Sequence, residues 1–252
     1  MTASLAPPDV LPLLRGRFGR PYRFVAECTS TQDLVREEGL PEGAVAVADH
    51  QTAGRGRAGR AWTDAPGRAL LVSVLLRPPR APELAQLSLV AGHATAEAIA
   101  ELTGLATHVK WPNDVLLDGS KVAGILLESA GDAVITGIGV NVSQSGDELP
   151  PGTSPPAGSL LTATGRHLDR AALVAELLAR LEHAYERWRD AGLAPLLPAL
   201  EERNWLRGRQ VVAHGAPGVA GAMAPDGALV VDLDRGGTLL AVSGEVTLAP
   251  ES

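Results

Sequence analysis

The chain is poor in the residues that most often announce a chemistry. It has one cysteine, two lysines, and only four tryptophans, two tyrosines and two phenylalanines in 252 positions. With Cys28 alone there is no internal disulfide and no cysteine-based zinc cluster; a reduced cytoplasm is the expected setting, with Cys28 a small buried hydrophobe. The six histidines, His50, His93, His108, His167, His183 and His214, fall at no metal-ligand spacing, and no metal site is assigned. No run of about 18 apolar residues occurs, so there is no candidate membrane span. Prolines in the first twelve residues interrupt what would be the apolar core of a signal peptide. A Gly-x-Ser-x-Gly elbow and a Walker Gly-Lys-Ser/Thr are both missing, which excludes those hydrolase and nucleotidase mechanisms. The net charge of −7 makes the whole molecule repel nucleic acid and anionic membrane, so any anion site must be local.

What is present is a mixed α+β pattern. Residues 1–20 read as a Pro-rich extension too short for a helix-turn-helix domain. Ala44–Asp49 alternates like a half-buried strand, and the apolar run Ala69–Leu76 reads as a central one. Leucines and alanines at helical spacing predict a helix over Pro82–Gly104, with Leu84 and Leu87 on its apolar face, and another over Leu168–Asp190. Between them lie a short strand at Thr107–Trp111, a hairpin turning at Asp118-Gly119, a strand at Ala133–Val142 and a Gly/Pro/Ser-rich loop at 144–158, a surface excursion or lid. From about Trp205 the pattern changes to short strands (Gln210–Ala213, Val219–Met223, Ala228–Leu233, Thr238–Val242, Glu245–Leu248), a small separate barrel. The expected division is an extension over 1–20, a main domain over 21–204 and a β domain over 205–252.

Three stretches carry chemistry. In "QTAGRGRAGRAW", Gln51–Trp62, Arg55, Arg57 and Arg60 alternate with Gly54, Gly56 and Gly59. Glycine amides that curl around an anion, with guanidinium forks beside them, suit a phosphate, and the mutual repulsion of the arginines is expected to be relieved only when it binds. In "VKWPNDVLLDGSKVAG", the hairpin should set Asp114 opposite Gly124 and bring Asn113 and Lys121 near them. A salt-bridged surface hairpin is the bland alternative. Since 20 of the 22 cationic side chains are arginine, the two lysines, Lys110 and Lys121, mark places that need a compact ammonium. In "CTSTQD", Ser30, Thr31 and Gln32 precede an amphipathic segment, as a helix cap or as a polar ligand site. Asn141 is either a strand-end turn residue or an amide reaching a ligand.

Taken together, "STQ" (30–32), "QTAGRGRAGRAW" (51–62), "KWPNDV" (110–115), "KVAGILLE" (121–128) and "GIGVNV" (137–142) resemble the biotin protein ligases in order and spacing, over roughly residues 22–248. The resemblance implies a catalytic domain like that of class II aminoacyl-tRNA synthetases, plus a small SH3-like barrel. It implies an enzyme that joins biotin to ATP, holds biotinyl-5′-adenylate and passes biotin to one lysine of a carboxylase's carrier domain. By position, Ser30, Thr31, Gln32 and Gln51 would hold the ureido and ring end of biotin, with Arg55, Gly56 and Arg57 on the closing loop. Lys121 would contact the biotin carboxylate and the α-phosphate, and Gly124 would allow close approach of the ligand. Arg60, Trp62, Asn113 and Asn141 would serve the nucleotide, with Asp114 orienting the lysine or accepting a carrier proton; Lys121, Arg57 and Asp114 form the catalytic set. Magnesium is expected with ATP. The family's common third residue after Ser-Thr is Asn, here Gln32. Some members also place an arginine after the last strand, where this chain has none. Only about 20 residues precede the catalytic domain, so a monofunctional, cytoplasmic form without the DNA-binding domain is expected, as a monomer or a homodimer. A lipoate or octanoyl ligase, a nucleic-acid binder using the Arg-Gly loop, and a non-catalytic biotin-binding module are the competing readings.

Overall fold

The computed structural model describes residues 4–79 and 84–249. Its main feature is a seven-stranded mixed sheet formed by β1 (Tyr22–Cys28), β2 (Val45–Gln51), β3 (Ala69–Leu76), β4 (Thr107–Lys110), β5 (Asp114–Leu117), β6 (Ser120–Ala130) and β7 (Ala133–Asn141). The spatial order is β1-β2-β3-β7-β6-β5-β4. β1 and β2 are parallel and every other pair is antiparallel. β1 went unrecognised in the sequence because its burial does not alternate cleanly.

The two faces of this sheet are used differently. Leu70, Val72, Val74 and Leu76 of β3, with Val109, Val115 and Val140, join the large core under α3 (Leu84–Thr103) and α5 (Arg170–Ala191). Pro82 and Glu83, expected at the start of α3, lie outside the described residues, as does the Leu84 side chain; the helix ends at Gly104, whose φ is +73°. α5 starts at Arg170 because the Asp169 carboxylate caps the amides of Ala171 and Ala172. On the opposite face, a small cluster (Val35, Ala46, Leu75, Ile135) covers one end under α2, the single turn Thr31–Leu34. The other end of that face is left open.

The N-terminal segment is part of the main core. It includes a helical turn, α1 (Pro7–Val10), and buries Leu5, Val10, Leu14 and Phe18. Glu182 of α5 accepts hydrogen bonds from the Arg17 and Phe18 amides at 2.8 and 3.2 Å. Two short helices not foreseen, α4 (Leu160–Thr164) and α6 (Leu197–Glu202), flank α5.

Beyond α6 comes the expected antiparallel β unit: β8 (Gln210–Ala213), β9 (Ala216–Met223), β10 (Leu229–Leu233), β11 (Thr238–Ala241) and β12 (Val246–Leu248), in the order β11-β10-β9-β8-β12. β9 begins before Val219, because the Pro217 position opposite Val212 is tolerated in the ladder. The two sheets meet at β4. Its residue Val109 donates to the Arg203 carbonyl (2.8 Å) and accepts from the Trp205 amide (3.1 Å). The fully buried Trp111 indole N–H donates to the Gly227 carbonyl at 3.0 Å. Among the described residues no helix is long and apolar enough to cross a membrane.

Trp111→Phe keeps most of the buried volume but leaves the Gly227 carbonyl unpaired, so it is expected to lower unfolding free energy by about 1–3 kcal/mol. A urea titration checks this; an unchanged midpoint would mean that this bond does not help join the two sheets.

Candidate functional site

The open face of the main sheet is paved by residues that share one cross-strand row. Lys110 on β4 pairs with Asp114 on β5, Asp114 with Gly124 on β6, Gly124 with Gly139 on β7, and Gly139 with Leu71 on β3. Directly opposed residues point to the same face, so a lysine, a carboxylate, two bare glycines and a leucine stand side by side. The hairpin sets this register in two steps: a two-residue turn, Asp118 and Gly119 at φ +48° and +72°, pairs Leu116 with Lys121, and a bulge at Val122 shifts the ladder by one so that Asp114 faces Gly124. The expected opposition of Asp114 and Gly124 is realised.

The glycines are there because other groups lie on them. A Cβ on Gly139 would sit 2.5 Å from Trp62 Cε2, and one on Gly124 would sit 3.0 Å from Trp62 Cζ3 and 3.4 Å from Lys121 Cε. The space over Gly124 is thus shared by an indole and the lysine stem. Two residues along β7, a Cβ on Gly137 would meet Gln32 Cδ at 3.0 Å. Gly137 and Gly139 were not singled out from the sequence, although "GIG" in a strand, with glycine at i and i+2, strips one face of side chains.

At one end of this floor stands α2. Ser30 caps it, its Oγ accepting from the Gln32 amide. The Thr31 amide and hydroxyl reach Gln51 Oε1 at 2.7 and 3.0 Å, and Thr31 Oγ1 lies 2.8 Å from Ser73 Oγ. Gln51 therefore keeps its oxygen on Thr31, leaving its amide N–H groups to donate elsewhere. Ser73 is a lone polar residue in a buried apolar strand and was overlooked. Gln32 is buried and donates to the Leu126 carbonyl at 3.3 Å.

The Arg-Gly loop folds back on itself as a tight hairpin. Gly56 donates to the Arg60 carbonyl (2.7 Å) and Trp62 to the Gly54 carbonyl (2.9 Å). Ala58 and Gly59 make the reversal at φ +54° and +72°. The expectation that arginine repulsion persists until an anion binds needs correction, because protein carboxylates already balance two of the three. Arg55 is paired to Asp33 at 2.9 Å and Glu128 at 2.8 Å, and Arg60 to Glu245 at 3.1 Å. The bond from Arg55, with its charge, holds the Asp33 carboxyl below its usual range. Arg57 differs. Its donors go to Asn113 Oδ1 (3.0 Å) and the Gly244 carbonyl (3.1 Å), it has no ion pair among the described residues, and burial pushes its pKa down.

Lys121 projects between these groups, its Nζ 2.7 Å from Asp114 Oδ1. The 144–158 loop is bound to the same strand: the Lys121 amide donates to the Pro156 carbonyl (2.8 Å) and Gly158 donates back to the Lys121 carbonyl (2.9 Å). Asn113 donates to the Ile125 carbonyl at 3.1 Å while accepting from Arg57. Asn141 has both ends of its amide committed, Nδ2 to the Gly158 carbonyl and Oδ1 to Gln144 Nε2. In this arrangement it anchors the loop from the end of β7.

The residues that the resemblance assigned to the site, from Ser30 to Asn141, all line one cavity of about 700 Å³. Five cations line it, Arg55, Arg57, Arg60, Lys110 and Lys121, against three carboxylates, Asp114, Glu148 and Glu245. In a chain of net charge −7, this is a local concentration of positive charge suited to an anionic ligand. The β unit also enters the lining through Gly244, Glu245 and Val246, which no local pattern in the sequence indicated.

The family model for the biotin/lipoate A/B protein ligases matches residues 24–145. The biotin–[acetyl-CoA-carboxylase] ligase of Paracoccus denitrificans is 38% identical over 201 residues, covering 75% of this chain and 82% of that protein. This chain belongs to the biotin/lipoate A/B protein ligase family. Within that family, the bifunctional ligase/repressor BirA of Bacillus subtilis (strain 168) is 38% identical over 177 residues, covering 67% of this chain and 54% of its own length. The first curated relatives are matched over only about half their length. The biotin protein ligase of Aquifex aeolicus, solved with biotin and ATP, superposes with a TM-score of 0.82 at 31% identity, covering 91% of this chain and all of that one. The ligase of Leishmania major, solved with biotinyl-5-AMP, gives 0.60 at 26% identity, covering 86% and 97%.

Gly139→Ala is expected to push the Trp62 indole off the floor and loosen the loop that carries it. Trypsin should then cut after Arg55, Arg57 or Arg60 several-fold faster than in the wild type, by roughly the amount that about 1 kcal/mol of lost packing allows. Equal cleavage rates would show that the glycine is not needed to seat the indole.

Proposed function

We propose that this chain is a biotin protein ligase: it converts biotin and ATP to biotinyl-5′-adenylate with release of pyrophosphate, then transfers biotin to one lysine of a biotin carboxyl carrier domain. One observation carries the reading. An ammonium on a flexible stem, Lys121, and a half-buried guanidinium without a carboxylate partner among the described residues, Arg57, lie in one cavity. The polar pocket of Thr31, Gln51 and Ser73 is at one end, and Trp62 lies on the glycine floor.

In this reading Gln51 donates to the ureido oxygen of biotin, Ser30, Thr31 and Gln32 shape the ring end, and the valeryl chain runs along the floor toward Lys121. The biotin carboxylate attacks the α-phosphorus, which brings two anions together. Lys121 and Arg57 offset that repulsion, with Arg55, Arg60 and Gly56 closing the loop above. Asp114 orients the ammonium from 2.7 Å. Trp62, Asn113 and Asn141 form the nucleotide side, and Gly124 lets the ligand approach the backbone once the indole gives way. The adenylate is a mixed anhydride that water destroys, so a loop pinned over it by ion pairs serves the chemistry. Magnesium accompanies the nucleotide and is held by phosphate and water oxygens. Among the described residues no three His, Cys, Asp or Glu side chains stand close enough to cage it. The ligase unit spans 21–204 with residues 4–20 of the extension packed on it, the β unit spans 205–252, and the setting is cytoplasmic.

The direct test is mass spectrometry of a carrier domain incubated with the protein, biotin and ATP; one added biotin on one lysine is the expected product, and an unmodified carrier would overturn the proposal. Lys121→Arg should retain the fold but lose adenylation by about 100-fold or more, because a planar fork cannot replace a point charge between carboxylate and phosphate. Pyrophosphate release near the wild-type rate would refute that role. Arg57→Ala should let the adenylate escape and label lysines on bystander proteins; labelling still confined to the carrier would count against the clamp.

A further inference from the structure

Lys110 is the second lysine of a chain that otherwise uses arginine, and its surroundings are unusual. It is 7% exposed and lines the cavity, and its Nζ donates to the Val246 carbonyl at 3.1 Å. No carboxylate lies within ion-pair distance of it among the described residues. Asp114, its cross-strand neighbour, is engaged by Lys121. A buried ammonium held by one neutral carbonyl is poorly compensated. Arg57, also without a carboxylate, donates to the Gly244 carbonyl two residues away on the same turn. Two cations with no carboxylate at ion-pair distance among the described residues therefore end on carbonyl oxygens of one short segment, 244–246, where phosphoryl oxygens would be the stronger acceptors.

The direction of the reaction gives these cations a ligand. In an in-line displacement at phosphorus the leaving group departs opposite the nucleophile. The carboxylate comes from the end where α2 stands over Gly137. Lys110, on β4, is three strand spacings from Gly139, about 14 Å away across the sheet. It stands at the far end, beyond Lys121.

We propose that Lys110 receives the pyrophosphate leaving group, exchanging the Val246 carbonyl for a phosphoryl oxygen and so loosening the bend at 243–245 that leads into β12. This deepens the adenylation reading and rests on it. The carboxylate oxygen forms its bond to the α-phosphorus, the bond from that phosphorus to the oxygen bridging to the β-phosphorus breaks, and the electron pair stays on the departing pyrophosphate. Lys110 remains an ammonium throughout and exchanges no proton.

The test separates the two half-reactions. Lys110→Met should raise KM for ATP and weaken inhibition by inorganic pyrophosphate by about tenfold or more each, the range expected for losing charge-assisted bonds. It should leave KM for biotin, and single-turnover transfer from preformed biotinyl-adenylate to the carrier, within about twofold of wild type. Lys110→Arg, which keeps the charge but not the compact head, should restore only part of the pyrophosphate sensitivity. Parallel loss of transfer from preformed adenylate would reduce Lys110 to a clasp for the β unit, and unchanged pyrophosphate inhibition would remove its role altogether; either overturns the proposal. Should the variants not fold, wild-type protein decides. Magnesium pyrophosphate alone should speed amide hydrogen exchange at 244–246, and no change would overturn the exchange of partners. Wild-type protein that releases no pyrophosphate from biotin and ATP would instead overturn the adenylation reading itself.

Discussion

The ion pair between Lys121 and Asp114 is the constraint around which the site is arranged. It exists because a two-residue turn at Asp118-Gly119 sets Lys121 opposite Leu116, and a one-residue register shift beyond that pair then sets Asp114 opposite Gly124. A slip of one residue would send the carboxylate into the hydrophobic core and the neighbouring valines into the cavity. The backbone of Lys121 is held from its other side by Pro156 and Gly158, so the 144–158 loop, the hairpin and the ammonium behave as one unit. A point charge placed this firmly on a flexible stem can adjust over short distances while its anchor stays fixed.

The remaining charge is distributed so that the empty cavity is tolerable yet still receptive. Arg55 and Arg60 are balanced by Asp33, Glu128 and Glu245, which ties the loop to α2, to β6 and to the β unit. Arg57 and Lys110 are left on carbonyls and amides. The acidic partners of the first pair hold the loop in shape. The lack of an ion pair for the second pair among the described residues gives the site its demand for an anion. The glycine floor completes the division of labour: by giving up side chains at 124, 137 and 139, the sheet makes room for Gln32, Trp62 and the lysine stem on a rigid surface.

Much of this was legible in the chain. Asp118-Gly119 between two apolar runs marked the hairpin, and the apolar stripes marked the two long helices. The scarcity of lysine pointed at Lys110 and Lys121, and the motifs around Ser30, Gln51, Lys110, Lys121 and Gly137 carried the family. Errors came where local pattern and long-range packing diverge. Residues 1–20 read as an appendage because proline breaks periodicity, yet Leu5, Val10, Leu14 and Phe18 are core. The hairpin of the arginine loop was not legible, because its order comes from hydrogen bonds across a reversal that needs Ala58 at positive φ, which alanine does not announce.

Residue chemistry and short-range register belong to the sequence itself. Turn preference, strand alternation and helical spacing act over two to four residues, so the hairpin, the glycine face of β7 and the cap at Ser30 follow from neighbours along the chain. Which carboxylate meets which arginine does not. Asp33 and Glu128 converge on Arg55, and Gly244 and Val246 meet Arg57 and Lys110, only because the strand order carries β6 past α2 and returns β12 to the end of β4. Those partners are separated by tens of residues or more, and electrostatic pairing over such distances is decided by the fold that brings them within reach.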